Sequence, residues 1–250
     1  MSLSPSGNRR ARTAVAAAVL LFGVNACKSD GSTLPHSSRT RVPPAGPALP
    51  FARTVDPLTQ EQARRSILAL EDLGPGWSAG ALKDGVPDPG DDDFPTLTGD
   101  SACDRALKGA PSGQSRITVG AEREFEQDRT TLKLVVSAQV HAGNGAVVHL
   151  AQTRAMVEGC ADVEIPMRDG VTARYRAIAA PAVADEALGM RIVMSTGGAP
   201  GSDTITGETM TVRLGPNTVT ILVVGAGLDP NVLDRITRRA AERLQAAARE

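Results

Sequence analysis

The chain has 250 residues, of which 41% are hydrophobic and 22% are charged, and its formal net charge at pH 7 is −1. This length is enough to bury a core, and this composition excludes a wholly disordered protein. The near-neutral charge, with one tryptophan, one tyrosine and four phenylalanines, argues against nucleic-acid binding, which needs a basic surplus and stacking side chains.

The N-terminus has the pattern of an export signal. An apolar run over residues 14–24 follows three arginines, Arg9, Arg10 and Arg12. The run is too short for a membrane-spanning helix, which needs about 20 apolar residues, but it suits the core of a signal peptide. Removal of the three arginines with the signal would change the formal net charge from −1 to about −4.

The apolar run ends in Val-Asn-Ala-Cys at residues 24–27, which resembles the lipobox of bacterial lipoproteins. In that family the chain is cleaved before the cysteine, whose thiol carries a diacylglyceryl group. Asn25 departs from the pattern, which prefers a small or aliphatic residue there. We therefore expect a lipoprotein signal peptide at 1–26 and lipidation of Cys27, with an ordinary secretory signal as the alternative.

Residues 27–53 are rich in serine and proline and contain few bulky apolar side chains. Such a stretch cannot bury enough surface to offset the entropy lost on ordering, so it is predicted to be a disordered tether of roughly 25–30 Å. Residues 54–250 are the predicted domain.

The predicted domain begins with a helix. Its start, Thr59-Gln60-Glu61-Gln62, has the capping-box pattern, and the run Gly74-Pro75-Gly76 ends it. Its predicted inward residues recur at helical spacing: Ala63, Ile67 and Leu70. A loop rich in proline, glycine and aspartate follows at 83–100.

Alternating apolar residues predict a hairpin over 117–125 and 132–140. A helix follows at 145–158, then strands at 171–179 and 188–195, and a second hairpin over 205–224 whose last strand is apolar on both faces and therefore central. The inward residues expected in the middle helix are Val147, Leu150, Ala151 and Val157, and those in the C-terminal helix, capped by Asp229-Pro230, are Leu233, Ile236, Ala240, Leu244 and Ala247. This αββαββββα order predicts an α+β fold with helices flanking one antiparallel sheet.

With Cys27 assigned to lipid, two of the three cysteines remain. Export favours a disulfide between Cys103 and Cys160. It would close a loop of about 58 residues and stabilise the domain by about 4 kcal/mol. Two buried thiols are the alternative; a metal pair is disfavoured because no histidine lies at ligand spacing.

The run Leu-Glu-Asp-Leu-Gly-Pro-Gly-Trp at 70–77 resembles the opening of PknH-type extracellular sensor domains. Cys103, the paired strands, Cys160, the run Asp185-Glu186-Ala187 and the C-terminal helix match in order, so the resemblance covers about residues 54–249. It implies an antiparallel sheet flanked by helices, with a cleft for an unknown ligand. The family occurs on actinobacterial kinases and, alone, as lipoproteins; a second disulfide found in some members has no cysteines here.

Other candidate sites have weaker patterns. His141 and His149 could approach each other, but surface positions are favoured over metal ligation. A calcium site would use aspartates whose spacing fits no known loop: Asp88, Asp91, Asp92 and Asp93. Asp185-Glu186 is interpreted as a turn or ion-pair element. The arginines of the last helix are expected to form a solvated face: Arg235, Arg238, Arg239 and Arg243.

Nucleophile-elbow, dinucleotide-binding and kinase motifs are all missing from the sequence. We therefore expect a non-catalytic lipoprotein without a cofactor or nucleic-acid partner, lipid-anchored on the outer face of the cytoplasmic membrane. Its domain would bind a small molecule, a lipid or an envelope protein as a sensor. The alternative is a carrier of a lipid or another hydrophobic molecule.

Overall fold

The computed structural model describes residues 55–85, 101–108, 117–161, 163–167, 170–196, 204–225 and 229–250. The predicted signal peptide, tether, lipidated Cys27 and calcium aspartates lie outside these ranges. The described helices are α1 (Gln60–Ser66), α2 (Leu70–Leu73), α3 (Ala102–Lys108), α4 (Gly145–Gly159) and α5 (Pro230–Ala247). The described strands are β1 (Trp77–Ala79), β2 (Lys83–Asp84), β3 (Ile117–Gln127), β4 (Lys133–His141), β5 (Ile165–Pro166), β6 (Val171–Ile178), β7 (Glu186–Thr196), β8 (Thr204–Leu214) and β9 (Asn217–Val224).

These strands form one antiparallel sheet in the order β1-β3-β4-β9-β8-β7-β6-β5, and β2 also pairs with β3. Strand β9 is central as predicted, because it pairs with β4 on one side and with β8 on the other. The long elements follow the predicted αββαββββα order, so the α+β fold is confirmed.

Side-chain alternation in the central strands produces two cores on opposite faces of the sheet. On the first face, Leu134 and Ile221 belong to the larger core, which α1, α2 and α5 cover. On the second face, Val135 and Leu222 belong to a smaller core with Val157 of α4. Helices therefore flank both faces, and α4 lies on the second.

Helix α5 matches its prediction. Asp229 caps it by accepting a hydrogen bond from the Asn231 backbone at 2.9 Å. All five predicted inward residues are buried, together with polar Thr237, whose hydroxyl donates to the Leu233 carbonyl. Its apolar residues recur at helical spacing over 18 residues, which makes its inner face easy to identify from sequence.

The single helix predicted over residues 59–73 is interrupted. The capping box at Thr59 is present, but α1 ends at Ser66 and the backbone is extended at Ile67 and Ala69. The extended step lets two consecutive residues, Ile67 and Leu68, both enter the core. The prediction that Leu70 faces inward is therefore wrong, since it is 40% exposed.

Helix α4 has its predicted bounds within one residue, but only part of its predicted inner face is correct. Leu150 and Val157 are buried, whereas Val147 is 48% exposed and Ala151 is also exposed. Apolar residues lie all around this helix, so their spacing does not identify one face. The loop predicted over residues 83–100 is wrong at its start, because Lys83 and Asp84 form β2; most of its remaining residues lie outside the described ranges.

Candidate functional site

The predicted disulfide joins the two helices on the second face. Cys103 of α3 and Cys160, which follows α4, form an S–S bond of 2.04 Å. Gly159 allows the close approach, since a β-carbon there would lie 3.0 Å from the Ala102 carbonyl oxygen and 3.2 Å from the Ala106 β-carbon. The disulfide and this contact hold the C-terminal end of α4 against α3.

At its other end, α4 contacts the sheet through two histidines. His141 is the last residue of β4, and His149 lies on the second turn of α4. Their rings stack with centroids 5.5 Å apart and planes inclined by 27°. His141 is only 1% exposed, so the prediction of two surface histidines is wrong for this residue. A short turn folds α4 back over the end of its preceding strand and buries the ring.

The two ring nitrogens of His141 have different surroundings. Nε2 lies 3.0 Å from the Thr218 hydroxyl on β9, whereas buried Nδ1 has no hydrogen-bond partner. Burial, and secondarily the proximity of His149, lowers the pKa of His141 to about 4. Burial also lowers the pKa of His149. Both rings are therefore neutral at pH 7, and neutral imidazole binds protons and metal ions.

A charged network lies on the same face, two strands from His141. Arg213 of β8 lies 3.2 Å from a carboxylate oxygen of both Asp185 and Glu186, and Glu186 also pairs with Arg154 of α4. The Asp185 carboxylate also accepts the Gly215 backbone N–H at 2.7 Å. The prediction that Asp185-Glu186 is a turn or ion-pair element is confirmed by these ion pairs, which connect the start of β7 to β8 and α4.

The arginines of α5 are not a uniform solvated face. Arg238 pairs with Asp234 on the same helix, as expected for a surface position. Arg239 and Arg243, however, both pair with Asp72 of α2, whose side chain is 2% exposed. These two arginines connect α2 to α5, because the fold brings the acidic end of α2 beside them.

Within the described ranges, no three histidine, cysteine, aspartate or glutamate side chains are grouped closely enough to hold a metal ion. Among the helices in the same part of the chain, none is both long and apolar enough to cross a membrane. The histidine pair, the hydroxyl of Thr218 and the Arg213 network lie on the second face, beside the buried hydroxyls of Ser137 and Thr211.

The burial of His141 could not be anticipated from the pattern of β4. Polar Ser137 and Gln139 alternate with the apolar residues of β4, which indicates a solvated second face. The structure buries Ser137 and His141 there. The sequence did contain one indication that the two histidines meet. One histidine ends the strand, and the other follows eight residues later in the helix that packs on that strand.

No protein-family model and no curated protein matches the sequence. Among solved structures, the extracellular domain of PknH from Mycobacterium tuberculosis is similar, with a TM-score of 0.51 and 10% identity over 76% of this chain and 98% of that domain. The Rv0999 ortholog from Mycobacterium smegmatis matches with a TM-score of 0.45 and 13% identity over 79% of this chain and 98% of its own. At such identities the likeness concerns the fold alone. The domain therefore has the fold of the PknH extracellular domain.

Proposed function

We propose that this protein is an exported, lipid-anchored binding protein whose domain receives a ligand or an envelope partner without chemical conversion. The observation that carries the proposal is the PknH-like fold, which is matched over 98% of an extracellular domain. A signal from such a domain would pass through a partner protein.

The disulfide supports the exported location. Cys103 and Cys160 are buried and bonded to each other, and disulfides persist in oxidising compartments outside the cytoplasm. The third cysteine, Cys27, follows the lipobox-like residues and is thus available for lipid. One lipidated cysteine and one disulfide account for the odd number of cysteines.

The polar contacts on the second face support binding rather than catalysis. Arg213 is neutralised by Asp185 and Glu186, and the His141 ring lies against the hydroxyl of Thr218 and the ring of His149. General-base catalysis needs a base that can reach a substrate or a nucleophile within about 3 Å. Buried His141 offers neither, since its free nitrogen has no access to solvent.

The proposed lipid anchor would keep the domain close to the outer surface of the membrane. Each buried acyl methylene contributes about 0.8 kcal/mol, so two or more chains give stable attachment. The predicted tether at 27–53 would then place the domain within tens of ångströms of the bilayer. A domain at that distance can contact other envelope proteins at the membrane surface.

Native mass spectrometry of the protein extracted from membranes in mild detergent tests the role of the domain. We expect no lipid in the native ion beyond the lipid covalently attached at Cys27, because a sensor-like binding domain is not loaded with a transported lipid. The denatured mass of the same sample is the control, since it retains covalent lipid and loses any other. One non-covalent lipid per chain would contradict the proposal and favour a carrier.

A further inference from the structure

The junction between β4 and α4 depends on its two histidines. β4 ends at His141, a short turn contains Gly143 in the left-handed region (φ 58°), and α4 begins at Gly145. His149, on the second turn of the helix, stacks on His141. The first two turns of α4 therefore rest on the end of the sheet through two stacked imidazoles.

A proton on His141 would have no favourable environment. The imidazolium donates from both nitrogens. One N–H can reach the Thr218 hydroxyl, but Nδ1 is buried with no hydrogen-bond partner. A buried charged donor without an acceptor is strongly unfavourable. The closed arrangement is thus compatible with neutral His141 and incompatible with charged His141.

The neighbouring elements supply no compensating anion in the described residues. From α4, the titratable group facing His141 is His149, which would itself become positive. From β9 the neighbour is uncharged Thr218, and the residue opposite on β3 is Ile117. On the same face of the sheet, Glu122 of β3 lies opposite Ser137, four residues from His141 along β4. Arg213 lies two strands away and is already paired with Asp185 and Glu186.

The two ends of α4 are held very differently. Its C-terminal end is joined covalently to α3 through Cys160, and buried Val157 belongs to the core of the second face. Its first two turns include exposed Val147 and are held by the histidine stack and by buried Gly145, Ala146 and Leu150. Ala146 and Leu150 belong to neither of the two large cores. Loss of the stack would therefore affect the start of the helix before its end.

We propose that this junction is an acid-sensitive switch: protonation of His141 and His149 releases the first two turns of α4 from the sheet while the domain stays folded. The proposal goes beyond the binding role and does not depend on any ligand. It gives a domain exposed outside the cell a means of responding to external acidity. The large core under α5, on the opposite face, contains neither histidine.

The direction and size of the response follow from proton linkage. Burial lowers the pKa of His141 from 6.5 to about 4 in the closed junction. In the released state the ring is solvated and regains its ordinary pKa. Closure is therefore fully favoured above pH 6.5 and is lost as the pH falls towards 4. The opening equilibrium constant should be about 30-fold larger at pH 5 than at pH 8 from His141 alone.

Hydrogen exchange of the full-length protein tests this, with rates corrected for the intrinsic effect of pH. We expect the protection of backbone amides 148–150 to fall at least about 30-fold from pH 8 to pH 5, since His149 adds to the contribution of His141. It should also remain below that of amides 236–244 in α5. Equal protection of the two helices at pH 5 would overturn the switch, because acid would then act through whole-domain unfolding. Unchanged protection of amides 148–150 would overturn it as well.

Variants identify the responsible group. His141→Gln keeps a donor towards Thr218 but cannot titrate, so we expect the contribution of His141 to the pH dependence of amides 148–150, about 30-fold, to disappear. His36→Gln, in the predicted tether, is the matched control and should behave as the unmodified protein. If His141→Gln fails to fold, proton NMR of the His149→Gln protein tests the switch by measuring the pH at which His141 takes up its proton. His141 should then stay neutral well below pH 6, and titration near pH 6.5 would refute the switch.

Discussion

Replacement of both Cys103 and Cys160 by alanine is expected to lower the free energy of unfolding by about 4 kcal/mol. The two cysteines are 57 residues apart, and the bond restricts the unfolded chain by closing that loop. In the native state it also fixes α3, whose described helix contacts are with α4. For a domain of this size the melting temperature should fall by roughly 10 °C.

Urea denaturation of the oxidised protein and of the double variant measures this difference. Cys27→Ala is the matched control, because it removes a cysteine of the chain without touching the disulfide, and it should leave the unfolding free energy unchanged. Reduction of the unmodified protein should reproduce the loss seen in the double variant. A loss below about 1 kcal/mol would mean that the unfolded chain is constrained by something other than this bond.

Asp72→Ala is expected to lower the unfolding free energy by about 2–3 kcal/mol. The carboxylate of Asp72 lies 2.7 Å from Arg239 Nε and 2.5 Å from Arg243 Nε, and it accepts the Ala69 backbone N–H at 2.7 Å. One side chain thus caps α2 and connects it to α5. Alanine would leave half-buried Arg243 without its short contact and α2 without its cap. The partial exposure of both arginines keeps the expected loss below that of a fully buried ion pair.

Glu71→Ala is the matched control for Asp72. Glu71 precedes Asp72 on α2 and lies 3.5 Å from Arg243, but its side chain is 75% exposed. Its loss should change the unfolding free energy by less than about 0.5 kcal/mol. If Asp72→Ala and Glu71→Ala lowered the unfolding free energy equally, burial of the Asp72 carboxylate would not be the reason for its larger contribution.

The contribution of Asp72 also depends on pH. Burial by itself raises the pKa of this carboxyl, but hydrogen bonds from Arg239, the Ala69 backbone and Arg243 outweigh it and hold the pKa below its ordinary 3.8. The stabilisation is therefore fully present above pH 3.8 and is lost as the pH falls through the lowered value. The difference between the unmodified protein and Asp72→Ala should shrink accordingly in acid unfolding curves.

The long elements could be predicted because each has a regular apolar period. Buried residues recur along α5 at helical spacing, and Leu132, Leu134 and Val136 alternate along the chain into β4. The short elements could not be predicted in this way: β2 and β5 have two residues each, and two residues establish no period. The break after α1 results from tertiary packing, since burying both Ile67 and Leu68 requires an extended backbone between the two helices.

The parts of the candidate site that depend on residue type and cellular compartment could be predicted from the sequence, whereas those that depend on the assembled fold could not. The disulfide was predicted from compartment and cysteine number, and the role of Asp185-Glu186 from their loop position before a strand. The burial of His141 depends on α4 folding back over the end of β4. The periodicity of apolar residues along the sequence does not predict such a contact. The connection from Asp72 to Arg239 spans 167 residues, so it too depends on the assembled fold.

Membrane fractionation of cells that produce the protein tests most directly whether a lipidated Cys27 holds this domain at the membrane. We expect the unmodified protein in the membrane fraction, released by detergent, and the Cys27→Ala variant in the soluble exported fraction. Lys28→Ala changes the adjacent residue without removing the thiol and should remain with the membranes. Equal partitioning of the unmodified protein and Cys27→Ala into the soluble fraction would contradict the anchor.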